Sequence, residues 1–549
     1  DEQSGVQGER RPFSVSFAST NRTDRAGETK PEKRRKRRTM GRNRIVNIVN
    51  FIRGIEPRRE LDLVEPVREE IYLNKKYGFD NTFLIQYDAM CSEEITDLLK
   101  KEQDEHMELG IWLELARELV ESIGVKWEGR WDWDWHVNPG FLIAYTKEEK
   151  MKLIDRIMEK FFSVFGCYPR SAGSFILDSD SVKYLKEKYR IEAVCICREQ
   201  WGTDGYTLWG GYYNGPYYPC EDHILHPAQS VDKQISVPVF RMLGPDPIYC
   251  YSEKIEERCG GPGYELYTLE PSYPCGADKE WIKWYFKNFT EREDMGYSYT
   301  QTGQENSFGW EMISKGLPMQ MEYLDELQRA GKIRIEKLCD SGRAFSLSYP
   351  VTPLTVYSAL DDWAENGRQS VWCSCRGYRV NVYCDGRNVL IRDIHLFDEA
   401  CRDPYLDWPC RGESAFSETL PVMDGLQFSD SVVQAGFFLG KGRIRWTKRD
   451  GEQFLLALEV DGRELIMTVT ERDIKLKGEE DFSVSVRWMS ECKDIMKTDR
   501  NTIHYCHGGV RYCLKLETGR LEMKTENSGK ILSDAGQTGW MMYREEIDS

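Results

Sequence analysis

Residues 296–310 read GYSYTQTGQENSFGW, and this stretch carries the pattern that decides the fold. Tyr297, Tyr299 and Gln301 alternate with serine and threonine, which is the period-two pattern of a β-strand. Gly303 interrupts the pattern, and polar and aromatic side chains follow at once. They are Gln304, Glu305, Asn306, Phe308 and Trp310. A carboxylate, two amides and an indole are the groups that grip a sugar, although a polar loop with a buried tryptophan fits the same residues.

The same strand-to-loop arrangement recurs along the chain. Six further short apolar runs predict strands at 46–53, 82–88, 109–113, 172–177, 193–198 and 237–242. Helix signals stand between them: Thr146 and Glu149 form a capping box, and Asp178 and Asp278 each precede a helical run, while the last predicted helix covers 318–330. Seven strands alternating with helices indicate a (β/α)7 barrel, whose chemistry lies where the strands end.

After Gly342 the pattern changes to short alternating runs separated by turns. Asp-Gly pairs that favour hairpins stand at 385–386, 450–451 and 461–462. This pattern predicts an antiparallel β-sandwich. The expected fold class is therefore α/β, with a (β/α)7 barrel followed by an all-β sandwich.

The beginning of the chain has a different composition. It has few large apolar side chains and contains a basic run at 33–38, so we expect it to be disordered. The basic run fits a nuclear localisation signal or a nucleic-acid-binding segment. It is incidental if translation begins at Met40. We divide the chain into a disordered segment (1–41), a barrel (42–335) and a sandwich (336–549).

Composition excludes several classes of protein. The net charge of −16 argues against general affinity for nucleic acid. No apolar run approaches the roughly 20 residues of a membrane span, and no hydrophobic signal core is present, so we expect a cytoplasmic protein without a membrane partner. The 17 cysteines lack zinc-site spacing and are expected to be free thiols.

Polar side chains stand at the end of nearly every predicted strand. They are Arg53, Gln86, Asp88, Glu114, Asp178, Arg241, Asp246 and Glu305. Glycoside hydrolysis needs two carboxyl groups, one to protonate the leaving oxygen and one to act as nucleophile or to activate water. We predict Asp178 and Glu305 for these roles, although Asp178 also fits a plain helix cap. Further catalytic candidates are Asp88, Asp134 and Asp204.

Aromatic, amide and charged residues near the strand ends are the expected substrate contacts. They are Arg53, Trp112, Trp133, His136, Trp201, Asp204, Trp209, Asn214, Arg241, Asp246, Gln304, Asn306 and Trp310. Indoles stack on the apolar face of a pyranose, and the polar groups bind its hydroxyls. The aromatic segment 209–219 either lines the substrate or packs on the barrel.

Two alternatives to glycoside hydrolysis remain. Deacetylation uses a metal bound by one aspartate and two histidines, for which Asp88, His136, and His223 or His226 are the conceivable ligands. The simpler interpretation of His223 and His226 is a pair of packed or surface histidines. Otherwise no cofactor is expected. The second alternative is a non-catalytic sugar-binding protein that kept the barrel.

Several motifs resemble known families. They are IVNFIRGIEPR (48–58), TFLIQYDAM (82–90), GTDGYTLWGGYYNGPYYP (202–219), VPVFRMLGPDPIY (237–249) and GQENSFGW (303–310). They look like a bacterial family catalogued as domains of unknown function. The barrel followed by a sandwich is similar to the glycoside hydrolase/deacetylase superfamily, which includes polysaccharide deacetylases and the family 38 and family 57 glycoside hydrolases. The resemblance implies an oligosaccharide or glycoside substrate.

The departures from that superfamily bear on the reaction. Asp88 is followed by Ala89 where polysaccharide deacetylases carry a second aspartate, and the stretch 106–110, HMELG, lacks their His-x-x-x-His motif. These departures favour a two-carboxylate mechanism. The family 57 order, with a nucleophile after strand four and an acid after strand seven, corresponds to Asp178 and Glu305.

Overall fold

The computed structural model describes residues 44–196, 208–242, 244–251, 267–292 and 294–545. The segment predicted to be disordered (1–41) lies outside the described residues, as do Trp201 and Asp204. The division into three domains stays a prediction.

The first part of the chain forms a parallel sheet that curls into a nearly closed barrel. The strands in this part of the chain are β1 (Arg44–Ile52), β2 (Asn81–Ile85), β3 (Met107–Trp112), β4 (Ser171–Gly173), β5 (Ala193–Ile196), β6 (Leu208–Trp209), β7 (Pro219–Cys220), β8 (His223–Pro227), β9 (Val239–Arg241), β10 (Ser298–Thr302) and β11 (Arg334–Glu336). Strands β7 and β8 form a separate antiparallel pair, and β6 also lies outside the parallel sheet. The parallel order is β10-β1-β2-β3-β4-β5-β9, with β11 also paired to β1. Each of the seven predicted strands overlaps one of these, so the predicted barrel is confirmed.

Strand β1 organises the barrel because it pairs with three neighbours. All nine of its residues are buried. Its first half pairs with β10 and β11, and its second half pairs with β2. Beyond β10, the amide of Phe51 donates to the carbonyl of Gln304 at 3.1 Å. The residues that follow β1, β2 and β10 are therefore brought to one end of the barrel.

Helices cover the outside of the barrel. They are α1 (Val64–Tyr77), α2 (Glu93–Glu102), α3 (Arg117–Ser122), α4 (Val137–Gly140), α5 (Lys147–Phe165), α6 (Ser179–Tyr189), α7 (Lys279–Glu291), α8 (Trp310–Ile313), α9 (Gly316–Arg329) and α10 (Leu338–Ser348). The predicted capping box of Thr146 and Glu149 is present. Helix α10 lies beyond the last predicted helix. The amides of Leu338 and Cys339 donate to Thr82 and Glu108 of the barrel sheet, which fixes its start.

The rest of the chain forms the predicted antiparallel sandwich. Its strands are β12 (Thr355–Ala359), β13 (Arg368–Ser374), β14 (Tyr378–Asp385), β15 (Asn388–Leu396), β16 (Ser417–Glu418), β17 (Leu420–Asp424), β18 (Gly436–Asp450), β19 (Gln453–Val460), β20 (Arg463–Val469), β21 (Asp473–Gly478), β22 (Ser483–Arg487), β23 (Ile495–Thr498), β24 (Thr502–His507), β25 (Val510–Thr518), β26 (Arg520–Thr525), β27 (Ser528–Leu532) and β28 (Gln537–Arg544). The long strand β18 pairs with β15 and β22 at its start and with β19 further along, so it passes from one layer to the other.

A buried charge network joins the sandwich to the loop after β6. Arg379 donates to both carboxylate oxygens of Asp393 at 2.8 Å, and His395 Nε2 lies 3.0 Å from Asp424 Oδ2. Arg379 also donates to the carbonyl of Gly211 at 3.2 Å. The sandwich thus holds a loop of the barrel in place. Among the described helices, none has the length and apolar character of a membrane span.

Helix α1 buries a carboxyl group without a partner. Glu70 is 0 % exposed, and neither of its carboxyl oxygens has a hydrogen-bond partner among the described residues. Burial raises the pKa of Glu70 well above its ordinary value, which favours the protonated side chain in the folded protein. A buried polar group without a partner costs about 1–3 kcal/mol.

Replacing Glu70 by leucine is expected to stabilise the protein by about 1–3 kcal/mol at pH 7, because the unpartnered carboxyl is removed. The pKa of Glu70 is higher in the folded than in the unfolded protein, so the parent loses stability as the pH rises and the unfolded state ionises. The stability difference between Glu70→Leu and the parent should therefore grow from pH 5 to pH 8. Urea unfolding followed by tryptophan fluorescence measures it. Glu65→Leu, at an exposed position of the same helix, is the control. A loss of stability in Glu70→Leu would contradict the prediction.

Candidate active site

One guanidinium lies between two buried carboxylates at the C-terminal end of the barrel. Arg53, directly after β1, donates through Nε and Nη2 to Glu114 Oε2 at 3.0 and 2.8 Å. Its Nη1 lies 2.7 Å from Glu305 Oε1. The side chains of Arg53, Glu114 and Glu305 are 2 %, 0 % and 5 % exposed. Ser307 Oγ also donates to Glu305 Oε1, at 2.7 Å. The ends of β1, β3 and β10 are therefore joined by a single cation.

Several buried polar atoms around this cation lack a partner. Among the described residues, Glu114 Oε1, Glu305 Oε2, Asp88 Oδ1 and both amide atoms of Gln86 accept or donate no hydrogen bond. Each such atom destabilises the folded protein by about 1–3 kcal/mol unless a ligand or a water molecule forms a hydrogen bond with it. These residues follow neighbouring strands of one sheet, where barrel enzymes bind their substrates. These unpartnered polar atoms make this end of the barrel the candidate ligand site.

Burial also changes the protonation of the site. It raises the pKa of Glu114 to about 7; Arg53 opposes this rise and the charge of Glu305 adds to it. Burial raises the pKa of Asp88 to about 6, against hydrogen bonds from the amides of Ala89 and Gly54. Glu114 therefore carries its proton in a large fraction of molecules at neutral pH.

The backbone after β10 is shaped so that Glu305 reaches Arg53. Gly303 has a φ of +119°, and a Cβ at this position would lie 2.0 Å from the carbonyl oxygen of Val49. The amide of Gln304 donates to Asn50 Oδ1 at 3.1 Å. Asn306 Oδ1 accepts from the Arg53 amide at 2.9 Å, and its Nδ2 donates to the Arg53 carbonyl at 2.8 Å. Asn306 is thus a clamp between the two strand ends.

The tryptophans predicted as stacking faces at this end are buried. Trp112 is 0 % exposed and stacks on Phe51 with ring centroids 4.1 Å apart. Trp133 is 1 % exposed, and the Arg53 guanidinium carbon lies 4.2 Å from its ring centroid. Neither indole presents an open face; Trp133 holds Arg53 in place instead.

Asp178, the predicted partner of Glu305, contacts Ser181 and Lys150 among the described residues. It is the N-cap of α6, where its two oxygens accept from the amide and the hydroxyl of Ser181 at 2.9 and 2.8 Å. Its Oδ2 also lies 3.2 Å from the buried Lys150 ammonium. Both oxygens of Asp178 are therefore satisfied by structural partners, and its side chain is 0 % exposed.

Other predicted polar residues also have structural partners. Asp246 accepts from the indoles of Trp281 and Trp363 at 3.0 and 2.9 Å, and burial raises its pKa to about 6. Asn214 has a φ of 51° and donates to the carbonyl of Tyr299, across the gap between β9 and β10. Gln304 donates to Glu270 Oε1 at 2.9 Å.

The remaining predicted contacts are dispersed. Arg241 is fully buried at the end of β9, and Trp310 begins α8 with its side chain partly exposed. Trp209 lies on β6, which pairs in parallel with β16; its side chain lies outside the described residues. Asp134 and His136 form a pair at 2.7 Å in a loop outside the barrel.

The predicted metal ligands do not come together. Asp88 Oδ2 accepts from the amide of Gly54, and His136 pairs with Asp134. The rings of His223 and His226 are in contact, with centroids 4.2 Å apart and planes inclined by 44°, and burial lowers the pKa of both side chains. Within the described residues, the only three ligand-type side chains gathered within 4.8 Å are Asp393, His395 and Asp424 of the sandwich network. Within the described residues the predicted ligands form no such cluster, so a deacetylase metal held by them stays a prediction.

Glu114 and Gln86 were visible as polar residues at strand ends but were not selected as site residues. Glu114 comes two residues after β3 and itself forms a β-bridge with Phe141, and the next helix has its N-cap at Ala116. Gln86 follows β2 directly. A polar side chain at the end of a predicted strand is the criterion that makes Asp88 a candidate, and Glu114 and Gln86 meet the same criterion.

Comparisons with known proteins agree with the fold. A family model described as a domain of unknown function with a solved structure, DUF3863, matches residues 68–272. A Parabacteroides distasonis protein, provisionally described as a glycoside hydrolase/deacetylase, matches with a TM-score of 0.51 and 16 % identity over 68 % of this chain and 89 % of that chain. A Mycobacterium smegmatis protein, provisionally described as a polysaccharide deacetylase, matches with a TM-score of 0.37 and 10 % identity over 56 % and 92 %. No curated protein matches the chain. The Parabacteroides protein therefore shares the fold of this chain.

Replacing Asp178 by asparagine is expected to destabilise the protein by about 3–5 kcal/mol, because it leaves the buried Lys150 ammonium without its counter-charge. The double variant Asp178→Asn/Lys150→Met should recover most of that loss. Thermal and urea unfolding measure both. An Asp178→Asn variant as stable as the parent would show that the ion pair contributes nothing.

Proposed function

We propose that the protein is a carbohydrate-active hydrolase that cleaves a glycosidic bond. Glu114 is the general acid, and Glu305 is the carboxylate that acts as nucleophile or activates water. One observation carries this proposal: two buried carboxyl groups flank Arg53 at the end of the barrel, and each keeps one oxygen without a partner among the described residues. Two such carboxyl groups are what glycoside hydrolysis requires.

The reaction needs one carboxyl group that holds a proton and one carboxylate that is held by hydrogen-bond donors. The acid must hold a proton near neutral pH, and a pKa raised to about 7 gives Glu114 that property. The other group must stay ionised, and Glu305 has the Arg53 guanidinium at 2.7 Å and the hydroxyl of Ser307 as donors to one oxygen. Glu305 Oε2 has no hydrogen-bond partner among the described residues, and it is the atom that would attack the sugar or activate the water.

Arg53 is a positioning residue in this proposal. Its fork binds Glu114 on the Nε and Nη2 side and Glu305 on Nη1, so the planar guanidinium fixes the two carboxyl groups on its opposite sides. The ring of Trp133 covers it and excludes water. Asp88 and Gln86 lie next to the pair and are suited to bind sugar hydroxyls.

Deacetylation is a second candidate because the Parabacteroides protein of the same fold is described as a glycoside hydrolase/deacetylase. Stoichiometric zinc or another transition metal in purified protein, lost together with activity on chelation, would favour it. A third outcome, tight oligosaccharide binding without turnover that is unchanged by acid-to-amide substitutions, would indicate a non-catalytic sugar-binding protein.

Glu305→Gln and Glu114→Gln should each lower turnover by about 100-fold or more, because one removes the charged carboxylate and the other the transferable proton. A screen with 4-nitrophenyl glycosides and natural oligosaccharides provides the substrate. The double variant Asp178→Asn/Lys150→Met is the control and should keep turnover near that of the parent. Loss of turnover in this folded control would return Asp178 to a catalytic role.

The acid role of Glu114 also predicts a pH profile. Because the acid acts in its protonated form, kcat/KM should fall as the pH rises through about 7. If the residual kcat/KM of Glu114→Gln no longer falls with pH, then the fall in the parent is due to the titration of Glu114. A rate that stays constant from pH 6 to pH 9 would contradict the assignment.

A further inference from the structure

A ladder of aromatic and cationic side chains leads from Arg53 to the surface. Trp133 covers Arg53, and the Arg58 guanidinium carbon lies 5.3 Å from the Trp133 ring centroid and 4.6 Å from that of Trp135. Trp135 in turn stacks on Trp131, with centroids 5.1 Å apart and planes inclined by 14°. The ladder is thus continuous with the candidate active site.

The outer end of the ladder presents an open indole face. Trp131 is 37 % exposed, in contrast to the buried Trp133. The Arg130 guanidinium carbon lies 4.4 Å from the Trp131 centroid and 5.1 Å from the Trp135 centroid. Arg130 thus lies over part of the Trp131 ring and close to Trp135, and the exposed fraction of Trp131 leaves indole surface accessible to a ligand.

The loop that carries this indole is held rigidly. The indole N–H of Trp127 donates to the carbonyl of Trp131 at 2.7 Å. Arg130 donates to both oxygens of Asp134 at 3.0 and 3.1 Å, and His136 lies 2.7 Å from the same carboxylate. Burial raises the pKa of Asp134, but hydrogen bonds from Arg130 and His136 outweigh it and hold that pKa well below its usual range. A stacking face fixed in this way loses little freedom when a ligand binds.

The charges of the ladder are already compensated. Arg58 donates to both oxygens of Glu56 at 2.8 and 2.6 Å, and Arg130 is paired with Asp134. No net positive charge is therefore left to select an anionic ligand. A flat, uncharged ring with an apolar face, such as a pyranose, is the ligand that suits an open indole.

We infer that Trp131 is the stacking platform of a sugar subsite beyond the carboxylate pair, so that the substrate is an oligosaccharide chain and not a simple glycoside. This inference rests on the proposed carbohydrate activity. Trp133, Arg58 and Trp135 lie between Trp131 and Arg53, so the ring that stacks on Trp131 is not the ring whose bond is cleaved. It belongs to a neighbouring unit of the same chain.

The test measures how binding depends on chain length. Glu305→Gln serves as the parent, and cello-, chito-, malto- and laminari-oligosaccharides of one to six units are titrated by calorimetry. The best hexasaccharide should bind at least about 10-fold more tightly than its monosaccharide, and adding Trp131→Ala should remove most of this advantage while leaving the monosaccharide unchanged. Trp446→Ala is the matched control, because Trp446 is 41 % exposed on β18 of the sandwich.

Two results would overturn the inference: equal binding of monosaccharides and hexasaccharides by the parent, including no binding of either, or a length advantage that survives Trp131→Ala. The proposed catalysis fails in a different way. If the unmodified protein shows no turnover while Trp131→Ala still abolishes the length advantage, then the subsite is correct and the hydrolase assignment is wrong.

Discussion

The sharing of one buried cation by two buried carboxyl groups is the constraint on which the site depends. Taking an ion out of water costs several kcal/mol even after relaxation, so Arg53 and its partners are stable only if they compensate one another. One guanidinium cannot fully compensate both Glu114 and Glu305. Burial is the main cause that raises the pKa of Glu114 to about 7, and the charge of Glu305 adds to it while Arg53 opposes it, so a proton on Glu114 also relieves the excess of negative charge. The charge arrangement that the fold tolerates is thus also one that an acid catalyst needs.

The barrel produces this arrangement through the neighbours of β1. The order β10-β1-β2-β3 places Glu305, Arg53, Asp88 and Glu114 after adjacent strands, although they are far apart in sequence. The sandwich contributes by bracing. Its Arg379 holds the Gly211 carbonyl, and its Trp363 shares Asp246 with Trp281 of helix α7. Neither contact reaches the two carboxyl groups, which fits a supporting role for this part of the chain.

Much of the fold was predictable from sequence because its signals are local. Alternating and apolar runs gave all seven barrel strands, and the caps of α5 and α6 follow from Thr146 and Asp178. The site was only partly predictable. Arg53 and Glu305 are predictable as polar residues at strand ends, but nothing in the sequence shows that Arg53 joins Glu305 to Glu114 rather than to Asp178. Which strand ends share a cation depends on side-chain packing in three dimensions, and no local pattern records it.

Acids at strand ends that cap a helix can nevertheless be distinguished from those that are available to a ligand, because the two kinds have different hydrogen-bond donors. An aspartate one residue before a helix finds its donors in the first turn of that helix, as Asp178 does with Ser181. Both oxygens of such an acid are then held by the helix start, which leaves it less able to bind a ligand. Glu114 has no helix immediately after it to supply amide donors, so it depends on Arg53 and keeps one oxygen without a partner among the described residues. Strand-end acids that lack a helix to cap are therefore the better candidates for chemistry, because the fold gives them no other use.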